Sequence, residues 1–90
     1  MTISIKIVSN NEYEVTVKSK TVTTHLVTLS DEVHEKLTKE KVTKKELLDF
    51  SFKFLLDREP NTSILSSFEL TVISRYFSDY EKSVKKWCSS

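Results

Sequence analysis

Glycine is absent from all 90 residues of this chain, although average usage of ~7% would give about six. Phosphate-binding loops, dinucleotide-binding fingerprints and the nucleophile elbow of hydrolases all need glycine, because their backbone must approach a ligand closely or adopt a positive φ. The missing glycine therefore argues against these three kinds of site.

Cysteine and long apolar runs are also scarce. Cys88 is the only cysteine, so no disulfide can form within the chain, and a reducing compartment is the simplest setting. The first ten residues alternate apolar and polar side chains, unlike a signal peptide, and no apolar run approaches the ~20 residues of a membrane span. We expect a cytoplasmic protein that does not associate with membranes.

Excess charge of either sign is lacking as well, since 14 basic and 13 acidic residues give a net charge of +1. A protein that binds nucleic acid by neutralising phosphates usually has a basic surplus. A protein partner, either a second copy or another protein, is therefore expected. A nucleic-acid-associated regulator that uses the lysines of the strands and of residues 36–45 is the alternative. With 38% hydrophobic and 30% charged residues, residues 1–90 should form one folded domain.

Alternating apolar residues in the first third of the chain predict β-strands. The apolar positions of two such strands are Ile3, Ile5, Ile7, Tyr13, Val15 and Val17; they should share the covered face, because a slip of one residue would bury Lys6 and Lys18 instead. Asn10-Asn11 between them can adopt positive φ in a tight turn. A third strand over 22–29 has apolar residues in both phases, which predicts a bulge or burial on both faces. We expect an antiparallel meander of two or three strands over about residues 2–29.

Capping signals then mark the start of two helices. Ser30 precedes two acidic residues, which is typical of a helix N-terminus. Thr43 and Glu46 have the spacing of a capping box. The helix that follows is apolar over roughly 240° of its circumference at ~100° per residue, so it should be central in the fold or half-buried in a partner.

Further helices are predicted up to about residue 87. Pro60 should end the long helix, and Asn61 or Thr62 should cap a short helix that carries Ile64, Leu65 and Phe68. A last helix should begin near residue 71 and continue to about residue 86, with a kink near Ser78-Asp79. The predicted fold is α+β, with the meander packed against three or four helices spanning about residues 31–87.

The segment around Pro60 also resembles a known group of proteins. Residues 54–60 (FLLDREP), Ser63-Ile64-Leu65, Phe68, Leu70, Val72-Ile73 and Tyr76-Phe77 are similar to the C-terminal half of short bacterial hypothetical proteins with the pattern FLLxREPxxSILxxFxLxVIxxYF. The resemblance covers about half of the chain. It implies a bacterial source and no catalytic activity.

No residue pattern indicates a reaction centre. The soft metal ligands are His25, His34 and Cys88, and no pair of them has a recognised ligand spacing. Cys88 lies two residues from the end of this sequence, where the positioning that a nucleophile needs is rare. We therefore expect no catalytic residue, no metal and no cofactor, and a role that is not enzymatic.

Two groups of residues are candidates for binding. Arg58, Asn61, Ser63 and Arg75 lie around a predicted helix start, and free N–H groups there could form a small anion or peptide-carboxylate site. The alternative is structural: Arg58 stabilises the end of the preceding helix and Asn61 caps the next one.

The spacing of residues 63–68 and 71–80 also mimics a helix-turn-helix.

The second group consists of Phe52 and Leu56 on the long helix. The apolar surface of that helix exceeds what one small sheet face can readily cover. A two-fold contact between copies would remove the remainder. The sequence therefore predicts a homodimer, with Phe52 and Leu56 in the interface.

Overall fold

The N-terminal residues form the predicted meander. In the computed structural model, which describes residues 2–89, the strands β1 (Thr2–Ile7), β2 (Glu12–Lys18) and β3 (Val22–Thr28) pair antiparallel in chain order. Tyr13, Val15 and Val17 are buried beneath the helices, and Lys6 is exposed on the opposite face, as the alternation predicts.

Two details of the meander differ from expectation, and the structure decides between the two alternatives for β3. Ile7 belongs to the covered face but is 62% exposed, because the helical layer does not extend over the end of β1. The turn between β1 and β2 needs no positive φ at Asn10 or Asn11; it closes through a hydrogen bond of 2.9 Å from the Val8 N–H to the Glu12 carbonyl. Of the two alternatives for β3, partial burial on both faces is confirmed, because Val27 is buried on the inner face and Leu26 is half-buried on the outer face, and the pairing with β2 is continuous without a bulge.

A fourth strand, β4 (Ser67–Glu69), pairs parallel to β3 and completes a mixed sheet of order β1-β2-β3-β4. The predicted short helix is therefore wrong beyond a single 3-10 turn at Asn61–Ser63. Hydrogen bonds from the Leu26 N–H to the Ser66 carbonyl (2.8 Å) and from the Leu70 N–H to the Thr28 carbonyl (3.0 Å) fix the extended segment on β3. The helix-turn-helix interpretation is wrong for the same reason.

The helices are α1 (Asp31–Thr38), α2 (Lys44–Leu56), α3 (Val72–Tyr76) and α4 (Tyr80–Ser89). Ser30 caps α1 by accepting a hydrogen bond from the Val33 N–H, and Thr43 and Glu46 form the predicted capping box of α2. Residues 77–79 separate α3 from α4, so the predicted kink is a complete break. These elements confirm the α+β class.

The connection between α1 and α2 holds two consecutive left-handed residues, Lys39 (φ 52°) and Glu40 (φ 60°). Neither is glycine or asparagine, so the left-handed backbone carries a steric cost. His34 stabilises this turn through a hydrogen bond of 2.6 Å between its Nε2 and the Val42 carbonyl. Lys44 then binds Asp31 at 2.6 Å, and hydrogen bonding to this ammonium group lowers the pKa of the Asp31 carboxyl.

The core lies between the sheet and the helices, and α2 is at its centre. Leu47, Leu48 and Phe52 of α2 are fully buried, as are Tyr80 and Val84 of α4. Phe50 stacks on Trp87 with ring centroids 4.4 Å apart, and Phe54 meets the edge of Tyr80 at 5.3 Å. α2 therefore has one apolar side on the sheet and another on α4.

Candidate functional site

Phe52, one of the two residues of the predicted dimer interface, is not available on the surface of the chain. Phe52 is 0% exposed, with its ring 5.5 Å from that of His25 and 6.1 Å from that of Phe68. Leu56 is half-buried against the same core. The prediction of an interface at Phe52 is wrong. It assumed that the sheet alone buries the apolar surface of α2, whereas α4 buries a second side of this helix.

Arg58 stabilises the C-terminal end of α2, as the structural alternative predicts. Its Nη1 donates to the Phe54 carbonyl at 3.1 Å, and its Nη2 lies 2.8 Å from the Asp79 carboxylate. Its guanidinium carbon also lies 3.5 Å from the centre of the Phe54 ring, which is a cation–π contact. The positive charge of Arg58 is thus already balanced by Asp79.

Asn61 does not cap a helix, which corrects the prediction of a cap at this position. Its buried amide donates to the Thr21 carbonyl and to the Thr23 hydroxyl, both at 3.0 Å. Ser63 and Arg75 are exposed. Within residues 2–89 no hydrogen bond or ion pair joins any two of the four predicted anion-site residues, so a site formed by all four together stays a prediction.

A buried polar network instead holds the segment before β4 on β3. His25 is buried, with its Nδ1 2.7 Å from the Leu65 carbonyl and its Nε2 2.9 Å from the Thr23 hydroxyl. A carbonyl only accepts, so Nδ1 carries the proton, and Nε2 accepts from Thr23 in the neutral ring. The sequence signal for this role is a histidine in the buried phase of β3, but it does not identify the partner.

An apolar groove of about 360 Å³ lies next to this network, where the end of α2, the 3-10 turn, β4 and α3 meet. Leu65 (47% exposed) and Tyr76 (68% exposed) stand on its walls. We refer to it as the α3 groove, and its lining residues are Leu55, Glu59, Ser63, Ile64, Leu65, Phe68, Val72, Ile73, Tyr76 and Phe77. The sequence analysis assigned Ile64, Leu65 and Phe68 to a short helix and did not predict this groove.

Among the residues that the structure describes, Glu59 is the one charged residue that lines the α3 groove. It is half-buried, and within residues 2–89 its carboxylate has no hydrogen-bond or ion-pair partner. The Ser63 hydroxyl lies on the same lining. The groove therefore offers apolar walls, one uncompensated negative charge and one hydroxyl group to a ligand.

A second hollow, of about 300 Å³, lies between the C-terminal ends of α1 and α4. Lys36, Lys39, Lys41 and Lys85 line it together with Cys88. Burial raises the pKa of the Cys88 thiol despite the nearby Lys41, so this cysteine is not an activated nucleophile. No cluster of three or more potential metal-ligating His, Cys, Asp or Glu side chains occurs within residues 2–89.

Comparisons with protein-family models, with curated proteins and with solved structures found no match. No helix in the described part of the chain has the length and apolar character needed to cross a membrane. A proposal for the function of this chain therefore rests on the geometry of its own residues.

Proposed function

We propose that this protein is a non-enzymatic protein-interaction domain that binds a segment of a partner protein in the α3 groove. The observation that supports this is the pairing of exposed apolar walls at Leu65 and Tyr76 with the unpartnered carboxylate of Glu59. A concave, mostly apolar pocket of about 360 Å³ with a few polar groups on its lining is typical of a binding site. The resemblance and the single cysteine support a bacterial, cytoplasmic setting.

The chemistry of the partner follows from the lining. An aliphatic or aromatic side chain would fill the groove, and a lysine or arginine beside it would pair with Glu59. Burying one such apolar anchor contributes about 1.5–3 kcal/mol, and a partly desolvated ion pair adds to it. A single anchor of this size supports affinities nearer micromolar than nanomolar once the cost of association is subtracted.

A peptide library displayed on phage tests the proposal without knowledge of the natural partner. Selection on the wild-type chain should enrich peptides that have a large apolar residue and a basic residue close to it. Tyr76→Ala should weaken the selected peptides by about tenfold, since it removes one wall. Glu59→Lys should select against the basic residue and favour an acidic one.

Val22→Ala is the matched control, because Val22 is also exposed but lies on the outer face of the sheet. It should leave peptide binding unchanged. In a heteronuclear NMR titration, the amides that shift should be those of Leu65, Val72 and Tyr76. Selected peptides that bind Tyr76→Ala and Glu59→Lys as tightly as the wild type would refute the groove as the binding site.

The lysines around Cys88 favour a second candidate, a nucleic-acid-associated regulator. Four lysines on one hollow form a local basic surface on a chain whose net charge is only +1. Fluorescence anisotropy with a labelled single-stranded DNA of 20 nucleotides at low salt distinguishes this function. Binding that weakens with salt and with Lys39→Glu, but not with Tyr76→Ala, would favour it over the protein-interaction function.

A further inference from the structure

Within residues 2–89 β1 pairs with β2 alone, so it is an open edge of the sheet. Two of the exposed large apolar residues, Ile7 (62%) and Val8 (54%), lie at its end, and Ile3 and Ile5 are half-buried along it. Edge strands are usually protected by proline, a bulge, an inward-pointing charge or exposed lysines. β1 has neither proline nor a bulge, and its one charged residue, Lys6, lies on the outer face, so no charge interrupts the apolar inner face.

The hydrogen bonds between β1 and β2 show which backbone N–H and C=O groups of β1 can still pair with another strand. The Val8 N–H bonds to the Glu12 carbonyl, so Val8 and Glu12 form a hydrogen-bonded pair in the register that aligns Ile7 with Tyr13. Such pairs alternate along an antiparallel ladder. Thr2, Ser4 and Lys6 therefore bond to β2, and Ile3, Ile5 and Ile7 direct their N–H and C=O groups outward.

We propose that two copies of this chain associate through β1, antiparallel about a two-fold axis at Ile5, and so double the four-stranded sheet. In this register Ile5 lies opposite Ile5 of the second copy, and Ile3 lies opposite Ile7. The outward groups of these residues form about six backbone hydrogen bonds. Each exposed Ile7 is covered by Ile3 of the other copy.

The charges along the contact agree with this symmetry. On the outer face Ser4 lies opposite Lys6, so no like charges meet. On the helical side, a shallow hollow beside Ile3 and Ile5 is bounded by Lys45, Glu46 and Asp49 of α2. A two-fold axis reverses the direction of α2 in the second copy, so Lys45 of each copy faces the end where the other carries Asp49, which also pairs with Lys53 of its own helix at 2.8 Å.

An alternative two-fold axis at Ser4 satisfies the backbone less completely. Within the described strand it would pair only Ile3 with Ile5, so the outward backbone groups of Ile7 would gain no partner from β1 of the second copy. The axis at Ile5 uses every outward group of β1. It also puts the two α3 grooves at opposite ends of the doubled sheet, because β4 forms the other edge. Such a dimer would engage a partner with two binding segments more tightly than one copy does.

Sedimentation equilibrium of the wild type, Ile7→Pro and Ile7→Val tests the association. Proline at residue 7 removes an outward N–H and leaves the bonds between β1 and β2 intact, whereas valine keeps the N–H and the branched side chain. The wild type and Ile7→Val should dimerise, and Ile7→Pro should dimerise at least about tenfold more weakly. Equal far-ultraviolet dichroism of the three proteins excludes unfolding as the cause.

Crosslinking tests the register. In a Cys88→Ser background, Ile5→Cys should form an intermolecular disulfide on mild oxidation, because hydrogen-bonded antiparallel pairs have Cα atoms about 5.5 Å apart. Ser4→Cys is the control and should remain a thiol.

A monomeric wild type at millimolar concentration, or a dimer that Ile7→Pro leaves unchanged, would overturn the proposal. A disulfide at Ser4→Cys alone would overturn the axis at Ile5. Peptide binding by the α3 groove should persist in Ile7→Pro, so the two proposals fail separately.

Discussion

A buried hydroxyl pair, Ser51 and Tyr80, joins α2 to α4. The Ser51 hydroxyl donates to the Leu47 carbonyl at 2.7 Å, so it accepts from the Tyr80 hydroxyl. Both side chains are fully buried, and burial raises the pKa of the Tyr80 phenol. The phenol therefore stays protonated and remains a donor at every pH at which the protein is expected to fold.

A double-mutant cycle measures the value of this pair. Ser51→Ala should lower the free energy of unfolding by about 1–3 kcal/mol, because it leaves the Tyr80 hydroxyl buried without an acceptor. Tyr80→Phe should cost about 1 kcal/mol. In the double variant the two costs should not add, since no unpaired hydroxyl remains. Urea denaturation provides the values, and strictly additive costs would mean that the two hydroxyls act independently.

At the scale of residues, local periodicity predicts which side chains are buried, but not which polar groups form hydrogen bonds with each other. The alternation of Tyr13, Val15 and Val17 assigns their face correctly, because neighbouring strand residues point to opposite sides. The partners of His25 cannot be found in this way, since the Leu65 carbonyl that it binds is 40 residues away. Long-range contacts of this kind leave no local pattern in the sequence.

At the scale of elements, the segment from Pro60 to Leu70 is where sequence reasoning fails. The spacing of Ile64, Leu65 and Phe68 suits a helix, and Pro60 suits its start. The segment instead forms one 3-10 turn and β4, because the Asn61 amide and the Leu65 carbonyl are bound by β3. Tertiary hydrogen bonds outweigh a weak helical preference here.

Asn61→Asp tests this account with almost no change in side-chain volume. The substitution replaces a donor by a carboxylate oxygen that faces the Thr21 carbonyl, so the tether should be lost and the free energy of unfolding should fall by about 1–3 kcal/mol. Hydrogen exchange of the Leu26 and Leu70 amides, which bond across β3 and the β4 segment, should accelerate. Thr62→Ala at the exposed neighbouring position is the control, and equal exchange in both variants would contradict the assigned tether.

At the scale of the whole molecule, the sequence predicts the meander, the capped starts of α1 and α2 and a kink at the position where α3 and α4 separate. It does not predict which elements bury each aromatic residue, because Phe52 is covered by elements that are distant in the chain. The α3 groove is missed for a similar reason. Its lining comes from α2, the 3-10 turn, β4 and α3, and no single segment displays it.

The parallel pairing of β3 with β4 has a consequence for the order of folding. The meander joins strands that follow each other directly, whereas β4 closes a loop that contains α1 and α2, and closing a longer loop costs more entropy. We expect the hairpins to form early and β4 to dock late, with φ-values near zero for Asn61→Ala and Phe68→Ala and higher ones for Val15→Ala. High φ-values in the β4 segment would contradict this order. The walls of the α3 groove would then be the last part of the molecule to assemble, and a bound peptide would slow unfolding by holding the final step closed.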